Sequence, residues 1–247
     1  MPPESLLIFL CFAFGAEVVG TIAGFGAATI LTPIASTFFD IKTAVALVAC
    51  FHLFGNAWRA WWFRGHQDWR LIACFGIAGI ATSFAGASVA ARLSPAYLRL
   101  LLGLFLLVYA GTELAQAARL KLQPTSTTLI VGGALSGVVA GAIGTGGAIR
   151  SACLVVFGLP KERYLGTSAL IALLMDATRV PVYLSQGWLP GRMAGALAAL
   201  SVVAFAGSWL GQRLVKRIAP ARFTQMVLVL LLLLGIKLLW DGWRGVA

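Results

Sequence analysis

The residues able to do chemistry are few, and all sit in apolar surroundings. Arg150 follows the cluster Gly144-Thr145-Gly146-Gly147-Ala148 inside an otherwise uncharged run. An unpaired cation at such depth costs at least ~2.5 kcal/mol on insertion scales. Something anionic must compensate it, either a bound anion or a structural partner such as Glu17 or Asp176. Glu17, His52 and Asp176 are the titratable groups within apolar runs. A carboxyl removed from water protonates more readily and a histidine titrates near neutrality, so each is a candidate proton carrier or else a satisfied structural group. Arg59 and Arg179 are placed either to attract an anion from the two faces or to snorkel to headgroups, with Trp58, Trp61 and Trp62 beside Arg59 and Asp176 at i, i+3 from Arg179. The hydroxyls of Thr167 and Ser168 are set to donate to an oxyanion or to bond within their own helix turn.

Catalytic and metal patterns are missing. His52 and His66 do not form an HExxH pair, and no GxSxG, phosphate-loop or dinucleotide fingerprint occurs. The expectation is a non-enzyme without metal or cofactor.

What must position these groups is membrane-embedded helix. Of 247 residues, 60% are hydrophobic and only 11% charged, with a mean hydropathy of +0.92, too little polar surface for a soluble domain. The net charge of +11 reads as basic cytoplasmic loops rather than a nucleic-acid footprint. Cys11, Cys50, Cys74 and Cys153 lie in apolar runs and read as small core residues. The first residues lack the basic stretch of a signal peptide and are expected in the mature chain.

Eight apolar runs are visible. Six have the length of one span, about 20 residues, while those at about 5–39 and 127–159 are too long for one. Both carry glycines near the middle: Gly15, Gly20, Gly24 and Gly26 in the first, and Gly132 through Gly147 in the second. Placing Gly24-Phe25-Gly26-Ala27-Ala28 over Gly144-Thr145-Gly146-Gly147-Ala148 sets an offset of 120, which also superposes Asn56-Ala57-Trp58-Arg59 on Asp176-Ala177-Thr178-Arg179. With one residue of slippage Phe84-Ala85-Gly86 matches Phe205-Ala206-Gly207 and Arg92-Leu93 matches Arg213-Leu214, and Pro95 later meets Pro220. The chain is thus predicted to be an internal duplication, residues 1–120 and 121–247, within one membrane domain. At the position matching Arg150 stands Ile30, and at that matching Asp176 stands Asn56.

If each long run enters and returns as a hairpin of two half-helices, each repeat has three further spans and the repeats are inverted. Arg64, Arg70, Arg119, Lys121, Lys161, Arg163, Arg213, Lys216, Arg217 and Arg222 then lie inside, against Lys42, Arg92, Arg99, Arg192, Lys237 and Arg244 outside. That ratio of ten to six favours inverted repeats with both termini outside; single crossings leave no such bias. The fold class is therefore all-α integral membrane protein, two inverted repeats, each a glycine-broken re-entrant hairpin (or broken helix) plus three transmembrane helices. A break at this depth frees backbone N–H groups that can hold an anion, and Thr21 to Ala27 would face Ala142 to Ala148 across the pseudo-two-fold axis. The alternative is plain close packing, since Gly20/Gly24 and Gly137/Gly141 fit GxxxG.

Gly20-Thr-Ile-Ala-Gly-Phe-Gly-Ala-Ala followed by Pro33, and Gly141-Ala-Ile-Gly-Thr-Gly-Gly-Ala with Leu159-Pro160-Lys161 and Leu165-Gly166-Thr167-Ser168-Ala169, resemble the TauE/SafE sulfite exporter family, also called TSUP. The resemblance spans essentially the whole chain. It implies a secondary transporter of small sulfur-containing anions, such as sulfite, thiosulfate or an organosulfonate, in the bacterial inner membrane. The expected substrate-binding set is Thr21, Gly24, Phe25, Gly26, Gly144, Thr145, Gly146, Gly147, Arg150, Thr167 and Ser168. The expected gating or coupling set is Glu17, His52, Asn56, Arg59, Asp176 and Arg179. The expected mode is proton-coupled export by alternating access, with both termini periplasmic and a homodimer possible. An anion channel on this scaffold, and an embedded enzyme or assembly subunit, are the alternatives.

Overall fold

The computed structural model describes residues 3–23, 26–115, 122–214 and 221–246, and among these all regular structure is helical. Before the linker run α1 (Pro3–Ala23), α2 (Ala28–Phe38), α3 (Ile41–Trp62), α4 (Trp69–Arg92) and α5 (Pro95–Leu114). After it come α6 (Ser126–Ile143), α7 (Gly147–Val155), α8 (Lys161–Ser185), α9 (Gly191–Leu214) and α10 (Ala221–Arg244). Among the described residues seven helices, all except α2, α7 and α10, are long and apolar enough to cross a membrane by length and composition. At 1.5 Å per residue the 24 residues of α10 also reach about 36 Å.

Local chemistry sets the ends. The Asp40 carboxylate accepts the Thr43 N–H at the start of α3, Asp68 accepts those of Arg70 and Leu71 at α4, and the Thr125 hydroxyl accepts that of Thr128 at α6. Pro95 opens α5, where its missing N–H is not needed. Gly144, at φ +82, closes α6 with its N–H bonded to the Ala140 carbonyl.

The short helices return along the long ones. The Phe38 ring lies 5.7 Å from that of Phe9 and the Phe39 ring 5.2 Å from it, and Ser5 and Asp40 line one cleft. At the other end Leu154, Phe157 and Leu159 gather in one apolar cluster with Leu122. Each glycine-rich run therefore leaves the protein at the end where it entered. The arms are unequal, which corrects the expectation of paired half-helices: α1 and α6 have 21 and 18 residues, α2 and α7 only 11 and 9. Gly15, Gly132, Gly133, Gly137 and Gly141 do not break the first arms, because a helix keeps its backbone ladder at glycine and loses only ~1 kcal/mol of propensity.

The remaining helices join the two ends. At the Asp40 end, Lys42 donates to the Ala91 carbonyl (3.4 Å) and lies over the Trp188 ring, and Gly245 packs on Ala96. At the Asp68 end, Arg163 pairs with Asp68 (3.0 Å). The helices pair α3 with α8, α5 with α10, α4 with α6 and α1 with α9. Large apolar side chains such as Ile77, Phe84, Val108, Leu135, Val202 and Leu233 are exposed, as on a surface facing lipid rather than water.

The second GxxxG is a packing device. Gly133, Gly137 and Gly141 lie against the backbone of Phe75, Gly79 and Ser83 of α4, and a Cβ on Gly137 would run into Thr82 and the Gly79 carbonyl. Gly137→Ala should therefore lower Tm in detergent, by about 1–3 kcal/mol of stability. Gly15→Ala, where the space is open, should not lower it; equal melting of the two would contradict the packing role.

Candidate functional site

The two glycine breaks meet in the middle of the protein. Gly26, at φ +86, sends its N–H to the Gly20 carbonyl (3.1 Å), and Gly20 lies so close to Gly26 and Ala27 that a Cβ there would strike their backbone. In the second break the Ser136 hydroxyl donates to the Gly146 carbonyl (2.8 Å). The Thr29 and Thr145 hydroxyls bond at 2.8 Å, tying α2 to the opposite break.

Around the breaks is a buried polar cluster supplied by α1, α3, α7, α8 and α9. Asp176 is its hub. Its Oδ2 accepts His52 Nδ1–H (2.8 Å) and Asn56 Nδ2 (3.0 Å), and its Oδ1 accepts Arg179 Nε (2.9 Å) and Nη2 (2.7 Å). Asn56 and Asp176, equivalent under the 120-residue offset, thus touch each other. Arg179 Nη1 and the Tyr183 hydroxyl reach the Ala140 and Gly141 carbonyls at 2.5 Å each, at the end of α6. Arg59 makes the corresponding reach to α1: its Nη1 lies 2.8 Å from both Glu17 Oε1 and Thr21 Oγ1, and its Nη2 donates to Asn56 Oδ1 (2.8 Å). Glu17 Oε1 also accepts the Ser208 hydroxyl of α9 (2.6 Å), while Oε2 is buried with no partner among the described residues.

Arg59 does not snorkel. It is 5% exposed and Arg179 1%, so neither reaches a face of the protein. Carboxylates at ion-pair distance compensate both guanidiniums in place.

Arg150 differs from both. It is 4% exposed, its Nε donates to the Ser168 hydroxyl (3.0 Å), and among the described residues no carboxylate pairs with it. Glu17 and Asp176, its expected structural partners, are committed to Arg59 and to His52 and Arg179. A Cβ built on Gly26 would stand 2.8 Å from His52 Nε2 and 3.8 Å from Arg150 Nη2. The bend is therefore glycine where a histidine and a free guanidinium converge. Gly20, Thr21, Gly26, Asn56, Arg59, Arg150 and Ser168 line a small cavity of about 20 Å³ with Leu165 and Ala169, room for about one water.

The cavity thus draws together Thr21, Gly26, Asn56, Arg59, Arg150 and Ser168 of the expected set, with Asp176 bonded to His52 and Arg179 behind them and Glu17 paired with Arg59. Gly144, Thr145, Gly146 and Gly147 are buried and form the second break without lining the cavity. The Thr167 hydroxyl points away, accepting the Asp68 N–H (2.8 Å). Gly24 and Phe25 lie outside the described residues. Thr29, Ser136, Tyr183 and Ser208 were not expected. Only Tyr183 carried a signal, since positions 176, 179 and 183 share one helical face. Among the described residues no three His, Cys, Asp or Glu side chains are grouped to hold a metal.

Spanning helices, an apolar exterior and a charged cluster sealed at mid-depth define a multi-pass membrane protein of the transporter type. The family profile described as "Sulfite exporter TauE/SafE" matches residues 8–238. The chain belongs to that family, and is accordingly a membrane transporter whose family implies a small anionic substrate. A relative from Sinorhizobium fredii (strain NBRC 101917 / NGR234), described as "Probable membrane transporter protein y4hK", is 29% identical over 188 residues, covering 71% of this chain and 73% of its own length. No solved structure matches the chain.

Proposed function

We propose that the protein exports a small sulfur-containing oxyanion, sulfite or an organosulfonate, across the bacterial inner membrane by proton-coupled alternating access. The observation that carries this reading is Arg150, a buried guanidinium with a serine hydroxyl beside it and, among the described residues, no carboxylate at ion-pair distance. Its charge calls for an anion, and its planar fork suits two oxygens of one oxyanion. The cavity of about 20 Å³ is too small for that anion, so the site must widen to take it, as alternating access requires; an open pore needs a continuous path.

The repeats, residues 1–120 and 121–247, are read as inverted. In support, five helices precede the linker and five follow it, the two hairpins enter from opposite ends, and α4 meets α6 as α9 meets α1. The Asp40 end, which holds Ser5 and Gly245, is assigned to the periplasm on the sequence count of ten basic residues expected at the other end against six at this one.

For the proton, His52 is favoured over Asp176. Asp176 already accepts four donors, whereas His52 Nδ1 is anchored and Nε2 faces Gly26 and Arg150. Protonation at Nε2 adds a second positive charge next to the anion position, with Asp176 balancing it and Arg59 and Arg150 opposing it. Anion affinity should then rise as pH falls and His52 takes up its proton. His52→Gln should flatten that profile. A flat profile in Glu17→Gln, with His52→Gln unchanged, would move the proton to the half-free Glu17 carboxyl.

Transport is tested in proteoliposomes with radiolabelled sulfite. Accumulation beyond equilibrium, driven by a proton gradient and collapsed by a protonophore, is expected; mere equilibration would indicate a channel.

A further inference from the structure

We propose that the Leu165 side chain is the gate between a vestibule at the Asp68 end and the buried cavity beside Arg150, a proposal that rests on reading that cavity as the anion site. The vestibule, about 680 Å³, is walled by Trp62, Lys161, Glu162, Trp209 and Arg213, among others. Leu165 lines both this vestibule and the buried cavity, and no other residue lining either does. Leu165 is the residue common to both walls. The cleft at the Asp40 end shares no residue with the cavity, and on that side the packed core of Phe9, Leu31, Ala44 and Phe51 intervenes. The Asp68 end thus shares a wall residue with the cavity, and the Asp40 end does not.

Leu165 is at the start of the second turn of α8, and its backbone is held. Gly166 abuts Phe63, Thr167 accepts the Asp68 N–H, and Arg163 pairs with Asp68. The α8 start is thereby fixed to the α3–α4 loop, which leaves side-chain rotation of Leu165, or withdrawal of the end of α9 opposite it, as the opening step. That end is coupled to the site: Gly207 and Gly211 pack on Glu17 and Thr21, and Ser208 bonds Glu17. A hydrocarbon plug between two polar compartments is a barrier to water and ions alike. On the outer side Lys161 and Arg213, the latter 3.8 Å over the Trp209 ring, outnumber Glu162 in the wall and favour anions at the gate.

The test uses the full chain with Cys11, Cys50, Cys74 and Cys153 replaced by alanine and Ala169→Cys as the reporter on the cavity wall. Its labelling by sulfonatoethyl methanethiosulfonate is followed in membranes accessible from the Asp68 end, with and without sulfite. Leu165→Ala should speed labelling by on the order of tenfold, Leu165→Val should speed it less, and Leu165→Trp should slow it. Monodisperse elution of each variant confirms folding, and Leu165→Val keeps the comparison if Leu165→Ala does not fold. Rates insensitive to residue 165 overturn the gate, even if sulfite still protects Ala169→Cys. Rates that follow residue 165 without sulfite protection uphold the gate and overturn the anion site behind it.

Discussion

Arg150→Ala should abolish sulfite binding in protein that folds and purifies like the wild type. A guanidinium holding two oxygens of one oxyanion makes two charge-assisted hydrogen bonds of about 1.5–3 kcal/mol each. Their loss weakens binding by at least about a hundredfold. Stability should be spared, because among the described residues Arg150 has no carboxylate at ion-pair distance to orphan and its side chain donates to the Ser168 hydroxyl, while its removal also relieves the cost of a buried cation. Arg150→Lys should restore part of the affinity, since an ammonium keeps the charge but not the two-pronged geometry. Isothermal titration with sulfite and thermal melting, side by side, separate the two effects. Unchanged affinity would make Arg150 a structural charge; loss of folding would show that it has a structural partner.

Asp176→Ala should do the reverse, damaging the fold before the site. Asp176 gathers His52 and Asn56 from α3 and Arg179 from its own helix. Its removal leaves the Arg179 guanidinium, 1% exposed, without a counter-charge. Breaking a buried pair on one side costs about 3–5 kcal/mol. Asp176→Asn should cost less, because the amide oxygen still accepts one donor. The double change Asp176→Asn with Arg179→Gln should recover part of the loss, since a neutral pair leaves no stranded charge. The readout is Tm in detergent. A double variant less stable than Asp176→Asn alone would contradict the pairing as the source of the effect.

The contrast between these two residues was only half legible in the sequence. The 120-residue offset placed Asn56 over Asp176 and Arg59 over Arg179, and the structure brings Asn56 and Asp176 into contact at 3.0 Å. The i, i+3 spacing also foretold the Asp176–Arg179 pair. What spacing could not give was which acid serves which base. His52 and Asp176 are 124 residues apart and Glu17 and Ser208 are 191 apart, meeting only because α3 lies on α8 and α1 on α9. That long-range choice left Arg150 unpaired. Arg59 misled for a local reason: the tryptophans around it read as an interfacial belt, yet Glu17 lies within reach on the next helix. Segment length marked the glycine-rich runs as too long for one span but left open whether each turns back or crosses as a broken helix. The unequal arms were not legible, since most of the glycines act as packing notches, while at the two breaks Gly26 and Gly144 carry left-handed turns. Thr167 shows the limit of motif reading: its hydroxyl serves the neighbouring loop at Asp68, while the adjacent Ser168 faces Arg150.

The anion position itself is open to direct observation with selenite, whose shape and charge follow sulfite and whose selenium scatters anomalously. Crystals of the protein soaked in selenite should show one anomalous peak within hydrogen-bonding reach of the Arg150 guanidinium, about 3–4 Å from its nitrogens, between Gly26 and Ser168, and none in Arg150→Ala. A peak held elsewhere in the protein, or one that persists in Arg150→Ala, would contradict the assignment of this cavity as the anion site.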